Sequence, residues 1–179
     1  VASACGEEIK PTLLELGGSN AFVVLKDADI KAAANLGMRS RMLNNAQSCI
    51  AAKRFILEKE IADEFIEAYK AEILALKSGD PMDKSTKVGP MARVDLAEGL
   101  EKQMNKSIEL GATLVCGGKR TDAYFEPAIL TEVKPGMPAF DEELFGPVSS
   151  MIVAKDADEA IELANNSKFG LGITIATRD

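Results

Sequence analysis

The chain has 179 residues, 46% hydrophobic and 27% charged, which is ordinary for a soluble globular protein and long enough for one domain with a substantial core. A net charge of −7 excludes the basic face that nucleic-acid binding requires, and no apolar run approaches the ~18 residues of a membrane span. Histidine is absent, which removes Ser-His-Asp and Cys-His catalytic pairs within the chain; no secretory signal opens it. The three cysteines, Cys5, Cys49 and Cys116, cannot all pair with one another and lack metal-ligand spacing, so a reducing cytoplasm is the expected location.

In chain order, Val1–Gly6 reads as the tail of a small-residue helix whose beginning is missing, broken at Lys10-Pro11-Thr12. Ala21–Leu25 is a short, apolar, β-branched strand candidate. Asp27 or Asp29 is placed to cap a helix through Ala28, Ile30, Ala33, Leu36 and Met42, which leads to Cys49, and Arg54–Leu57 reads as the next strand. This strand, helix, strand order predicts a parallel sheet. Glu60–Leu76 reads as an amphipathic, core-covering helix, followed by a long polar connection to Gly89-Pro90 to which no chemistry is assigned. Val94–Leu110 is a second such helix, with Leu96, Leu100, Met104 and Ile108 spaced by four and Gly111 as its stop. Thr113–Cys116 and Phe125–Leu130 read as strands, with Cys116 in the core, and Val148–Ala154 as another. Asp156 with Glu159 predicts a capped helix whose buried side is Ile161, Leu163 and Ala164, and Gly172–Thr177 is the final strand. The fold class is α/β: a single three-layer domain with a mostly parallel sheet.

Three stretches carry chemistry. Asn44–Phe55 presents Cys49 between a helix and a strand, with Lys53 and Arg54 near enough in sequence to favour a thiolate. In Leu13–Asn20, Glu15 stands among three leucines; burial there would raise its pKa towards that of a general base near neutral pH, and Gly17-Gly18 lets a flat or bulky group approach the backbone. In Glu142–Val148, Glu143 is followed two residues later by Phe145, a carboxylate for a ribose and a ring to support a planar group.

In this order the three stretches resemble the Glu-Leu-Gly-Gly, Gly-Gln-x-Cys and Glu-Glu-x-Phe-Gly-Pro motifs of the aldehyde dehydrogenase superfamily, over essentially the whole chain. The succinate-semialdehyde dehydrogenase-like branch is the nearest, through Glu15–Asp29, Ala51–Phe55 and Gly89–Arg93. The resemblance implies a catalytic domain of the aldehyde dehydrogenase type over 1–179, without the nucleotide-binding domain that normally precedes it and the oligomerisation strand that normally follows. It implies an NAD(P)-dependent oxidation of a small aldehyde, succinate semialdehyde being a candidate, through a thioester on Cys49 that water activated by Glu15 releases. NAD or NADP would be shared with the missing domain and contacted here by Leu16, Gly17, Glu143 and Phe145. The parent enzyme is expected to be a homo-oligomer, and the isolated chain to turn over weakly or not at all.

The sequence departs from the pattern at Ala46, where the motif has glycine, which predicts a turn less free to enter the left-handed region. Ser19 replaces a lysine of many members. Leu43 occupies the place of a carboxylate-binding arginine in better-known succinate-semialdehyde enzymes, with Arg41 close by in sequence. Two other readings of these residues remain open. One is an acylating or acyl-phosphate-type relative, which would not need Glu15; the other is a non-catalytic packing module with an inert Cys49.

Overall fold

Four strands, β1 (Asn20–Val24), β2 (Ala52–Glu58), β7 (Val148–Ala154) and β8 (Ile173–Ala176), run parallel with a fifth, β6 (Ala128–Thr131), and with it form most of a six-stranded sheet in the computed structural model, which describes all residues Val1–Asp179. The others are β3 (Thr113–Cys116), β4 (Arg120–Thr121) and β5 (Tyr124–Phe125). The large sheet has the order β3-β6-β7-β2-β1-β8, with only β3 antiparallel to its neighbour; β4 and β5 form a separate small hairpin. The expected strand over Phe125–Leu130 is therefore two strands. Pro127 lacks the N–H that continued pairing needs, and the chain changes partner there.

Every residue of β2 is buried, as befits a central parallel strand covered on both faces. Alternation sends Phe55 and Leu57 to one face and Ile56 to the other. On the first face lie α2 (Ile30–Met42) and α3 (Ala62–Leu74), joined through Phe22, Phe55, Phe65 and Tyr69, with the Phe55 and Tyr69 ring centroids 4.8 Å apart. A Cβ on Gly37 would meet the Phe55 ring at 2.8 Å, so the glycine is what lets α2 lie this close to the sheet. The second face is covered by α4 (Val94–Glu109), α5 (Pro138–Asp141) and α6 (Ala157–Asn165), over Ala21, Val23, Ile56, Leu130 and Ile152. The first helix, α1 (Ala2–Glu7), has no buried residue.

The capping expectations hold in detail. Asp29 accepts from the Ala32 N–H at 3.1 Å, and Asp156 from the Glu159 N–H at 2.9 Å, while Glu159 in turn accepts from the Lys155 N–H. Two helical faces differ from expectation. In α4, Ala97, Leu100, Met104 and Ser107 are buried whereas Leu96 is exposed, so the buried stripe begins one residue later than a strict four-residue spacing gives. In α6, Ala160 is fully buried and Leu163 and Ala164 pack partly buried against the core as expected, whereas Ile161 is exposed. Cys116 is only partly buried, packing from the edge strand β3 against the aromatic face. No helix is long and apolar enough to cross a membrane.

Candidate active site

The three chemical stretches meet at the amino ends of the parallel strands: Gly18 just before β1, Cys49 just before β2, Gly146 just before β7. An open cleft of about 550 Å³ there is lined by Glu15, Gly17, Gln47, Ser48, Cys49, Glu143 and Phe145. Five of the six residues assigned from sequence thus line one surface. Leu16, the sixth, is 78% exposed and is not part of the lining.

Between α2 and β2 the chain makes a tight 3₁₀ turn at Leu43–Ala46, in which Asn44, Asn45 and Ala46 all have positive φ, 50°, 59° and 61°. Asparagine enters this region at modest cost. Ala46 does so despite its Cβ and is fully buried, contrary to the sequence expectation that losing glycine would restrict the turn. The surroundings enforce the conformation. Asn44 Nδ2 donates to the Gln47 carbonyl at 3.0 Å, Asn45 Nδ2 to the Gly89 carbonyl at 2.7 Å, and the Ala92 N–H to Gln47 Oε1 at 2.9 Å. The long 77–93 connection, given no role from sequence, therefore braces the thiol loop. Its Gly89-Pro90 punctuation was the visible signal.

Cys49 is half-buried, and its N–H donates to no group in the protein, leaving that donor free for a ligand. The carbonyls of Ser48, Cys49 and Ala51 instead accept from Lys53 Nζ at 2.9, 3.1 and 3.3 Å. Lys53 is 1% exposed. Burial pushes its pKa down to about 8, the Arg41 cation adding to the effect, while Glu143 and Cys49 oppose it. Arg54, expected beside Cys49, lies elsewhere. As the next residue of a strand it points to the opposite face, where its guanidinium donates to the carbonyls of Ser19, Leu163 and Ala164 and stacks 5.2 Å from the Phe140 ring centroid.

Glu143 is held by one oxygen. Oε1 accepts from the Gly18 N–H at 3.1 Å and lies 3.3 Å from Lys53 Nζ, whereas Oε2 has no partner in the protein. Gly17, at φ 82°, passes so close that a Cβ there would collide with Oε2. Substituting Gly17→Ala is thus expected to displace the carboxylate as well as strain the backbone. Titration of a full-length protein carrying this chain should show dinucleotide affinity reduced by roughly tenfold or more, the loss of one charge-assisted bond.

Glu15 differs from expectation in its setting. It borders the cleft but is exposed, and Leu13, Leu14 and Leu16 around it are 89%, 44% and 78% exposed. The segment preceding β1 has no regular structure and makes almost no hydrogen bonds with the body, so the leucines bury nothing and supply no apolar pocket for the acid. Arg41 is not a substrate anchor. Fully buried, it donates to the carbonyls of Leu144, Gly146 and Val148, with Leu43 exposed beside it.

A thiol, an acid and a half-held carboxylate surround one cleft on this mostly parallel sheet, and the comparisons give the chain a family. The family model described as "Aldehyde dehydrogenase family" matches residues 1–179, and the chain belongs to that family. It is 46% identical over 182 residues to a succinate-semialdehyde dehydrogenase [NADP(+)] of Mycobacterium avium (strain 104), covering 100% of this chain and 39% of the relative. The same identity and coverage hold for a succinate semialdehyde dehydrogenase [NAD(P)+] of Escherichia coli (strain K12). The solved succinate-semialdehyde dehydrogenase of Burkholderia pseudomallei superposes with a TM-score of 0.96 at 32% identity, over 99% of this chain and 38% of that one. The chain thus spans about two fifths of the length of the relatives it matches.

Proposed function

We propose that this chain is the thiol-bearing catalytic portion of an NAD(P)-dependent aldehyde dehydrogenase acting on a small aldehyde, with succinate semialdehyde the leading candidate. The observation that carries the reading is the convergence of Cys49, Glu15, Glu143 and Phe145 on one cleft from positions up to 130 residues apart. The relatives, one named for succinate semialdehyde with NADP(+) and one with NAD(P)+, support the substrate and a nicotinamide dinucleotide as cofactor.

The Cys49 sulfur adds to the aldehyde carbon, and the free Cys49 N–H stabilises the oxyanion that develops. A nicotinamide dinucleotide, when bound, supplies the two-electron acceptor that turns the thiohemiacetal into a thioester. Its fit is supported by the unpartnered Glu143 Oε2, ready to accept from a ribose hydroxyl, and by the approach that Gly17 leaves open; Phe145 lines the same cleft. Glu15 takes a proton from water, which attacks the thioester carbon, expels the Cys49 sulfur and releases a carboxylate.

The test is Glu15→Gln in a full-length protein carrying this chain. Rapid mixing with succinate semialdehyde and NADP+ should give a burst of about one reduced dinucleotide per site, then steady turnover lowered by about 10²–10⁴-fold, the usual contribution of a positioned base. Unchanged steady turnover would remove Glu15 from the mechanism. Product formation dependent on phosphate or coenzyme A would favour an acyl-transferring relative instead.

A further inference from the structure

Lys53 is a lysine inside the most deeply buried strand of the sheet, where lysine is rarely found unless paired. Its side chain is 2% exposed and sits on the α2 side of β2, behind the cleft floor and not in it. The ammonium has four partners: the carbonyls of Ser48, Cys49 and Ala51, which are the backbone of the thiol turn, and Glu143 Oε1, 90 residues away in sequence on the segment leading into β7. Two consequences follow from the geometry. With three carbonyls drawn inwards to the ammonium, the turn leaves the Cys49 N–H unengaged on the other side. With Oε1 taken by Lys53 and the Gly18 N–H, the carboxylate can offer only Oε2 to a ligand.

We propose that Lys53 is a positioning residue that registers the Cys49 turn against the Glu143 carboxylate, so that thiol and cofactor-binding oxygen are set by a single buried ammonium. The inference rests on the dehydrogenase reading above and deepens it. Burial makes the ammonium expensive to keep: with a pKa of about 8 against 10.5 unperturbed, the folded protein holds it at a cost to stability below about pH 8, a cost relieved as the pH rises through that window towards 10.5. The groups that face it are Glu143 from the β7 approach, Arg41 from α2 and Cys49 from the turn. Deprotonation leaves two N–H donors for four acceptors and removes the charge that pairs with Glu143.

The experiment uses a full-length protein carrying this chain, with calorimetric titration of NADP+ between pH 6.5 and 9.5 and aldehyde oxidation measured in parallel. In the unsubstituted protein the affinity should fall as the pH passes about 8. Lys53→Met should weaken binding by roughly tenfold at pH 7, flatten that profile and raise the dinucleotide KM more than it lowers kcat. Lys53→Arg, which stays charged, should recover part of the affinity and also remove the inflection near pH 8. Combined with Glu143→Gln, Lys53→Met should cost little beyond either change alone, because both break one linkage. A pH-independent affinity in the unsubstituted protein, which needs no variant to fold, would overturn the proposal; so would full additivity of the two substitutions. Absence of both NADP+ binding and aldehyde oxidation in the unsubstituted protein would instead defeat the dehydrogenase reading itself.

Discussion

Cys49→Ala is expected to lower aldehyde oxidation by at least ~10⁴-fold in a full-length protein carrying this chain, since covalent chemistry has no substitute at that position. The same change should leave the fold intact. Cys49 is half-buried in a turn whose conformation depends on backbone carbonyls, Asn44, Asn45 and Gln47, not on its sulfur. Dinucleotide affinity should therefore remain near that of the unsubstituted protein while oxidation and acylation by the aldehyde both vanish. A complementary measurement needs only the 179-residue chain. Peptide mapping after brief alkylation should find Cys49, at the lining of an open cleft, labelled before Cys116, whose thiol is raised by burial and packed against the aromatic face. Equal and slow labelling of the two would point to an inert packing module, and residual oxidation by Cys49→Ala above the stated limit would exclude the thioester route.

The elements were legible where one signal decided them. Asp29 and Asp156 mark two helix starts because a carboxylate at an N-cap has a local partner, and Ala21–Leu25 marks a strand because β-branched residues run together without a polar break. The motifs located Cys49, Glu143 and Phe145, but their meeting at the amino ends of the strands was not readable. Ligands in open α/β sheets usually sit at the carboxyl ends, so a topological argument alone would have looked on the wrong side. Glu15 was misjudged in its setting, because three leucines in sequence say nothing about what covers them. The most consistent blind spot is buried cations. Arg41, Lys53 and Arg54 are all within 2% of full burial, yet in a sequence each passes for a surface residue or a helper of the nearby thiol. Their partners are mostly backbone carbonyls, which every sequence has everywhere, so no residue pattern announces them. A Lys-Arg pair directly before the apolar Phe55-Ile56-Leu57 of the same strand was the available clue, since alternation must send one of the two to each face.

Of these cations Arg41 carries the largest expected effect on stability. Its guanidinium donates through Nε and Nη2 to Val148, and through Nη2 to Leu144 and Gly146, fastening the end of α2 to the segment that carries Glu143 and Phe145 into β7. Burial lowers its pKa to about 10, with Tyr69 and Glu143 opposing, so it remains a cation at physiological pH. Arg41→Met keeps much of the volume but removes the charged donor from three buried carbonyls, of which that of Gly146 still accepts from the Val148 N–H. A buried carbonyl that loses its donor typically costs about 1–3 kcal/mol, so the loss here is roughly 3–5 kcal/mol in all. For a domain of this size that corresponds to a melting temperature lower by roughly 10 °C, measurable by calorimetry or circular dichroism. Arg41→Lys should recover only a minor part, because one tetrahedral ammonium cannot follow the planar fork that reaches carbonyls four residues apart. The site should respond in a particular way: at a temperature where Arg41→Met remains folded, NADP+ affinity should fall with the loosened Glu143 segment while Cys49 alkylation stays close to normal, since Lys53 still gathers the carbonyls of the thiol turn. A melting temperature unchanged by Arg41→Met would show that the β7 approach holds its shape without the guanidinium. Parallel losses of thiol reactivity and dinucleotide affinity would mean that Arg41 supports the whole amino-end surface and not the carboxylate segment alone.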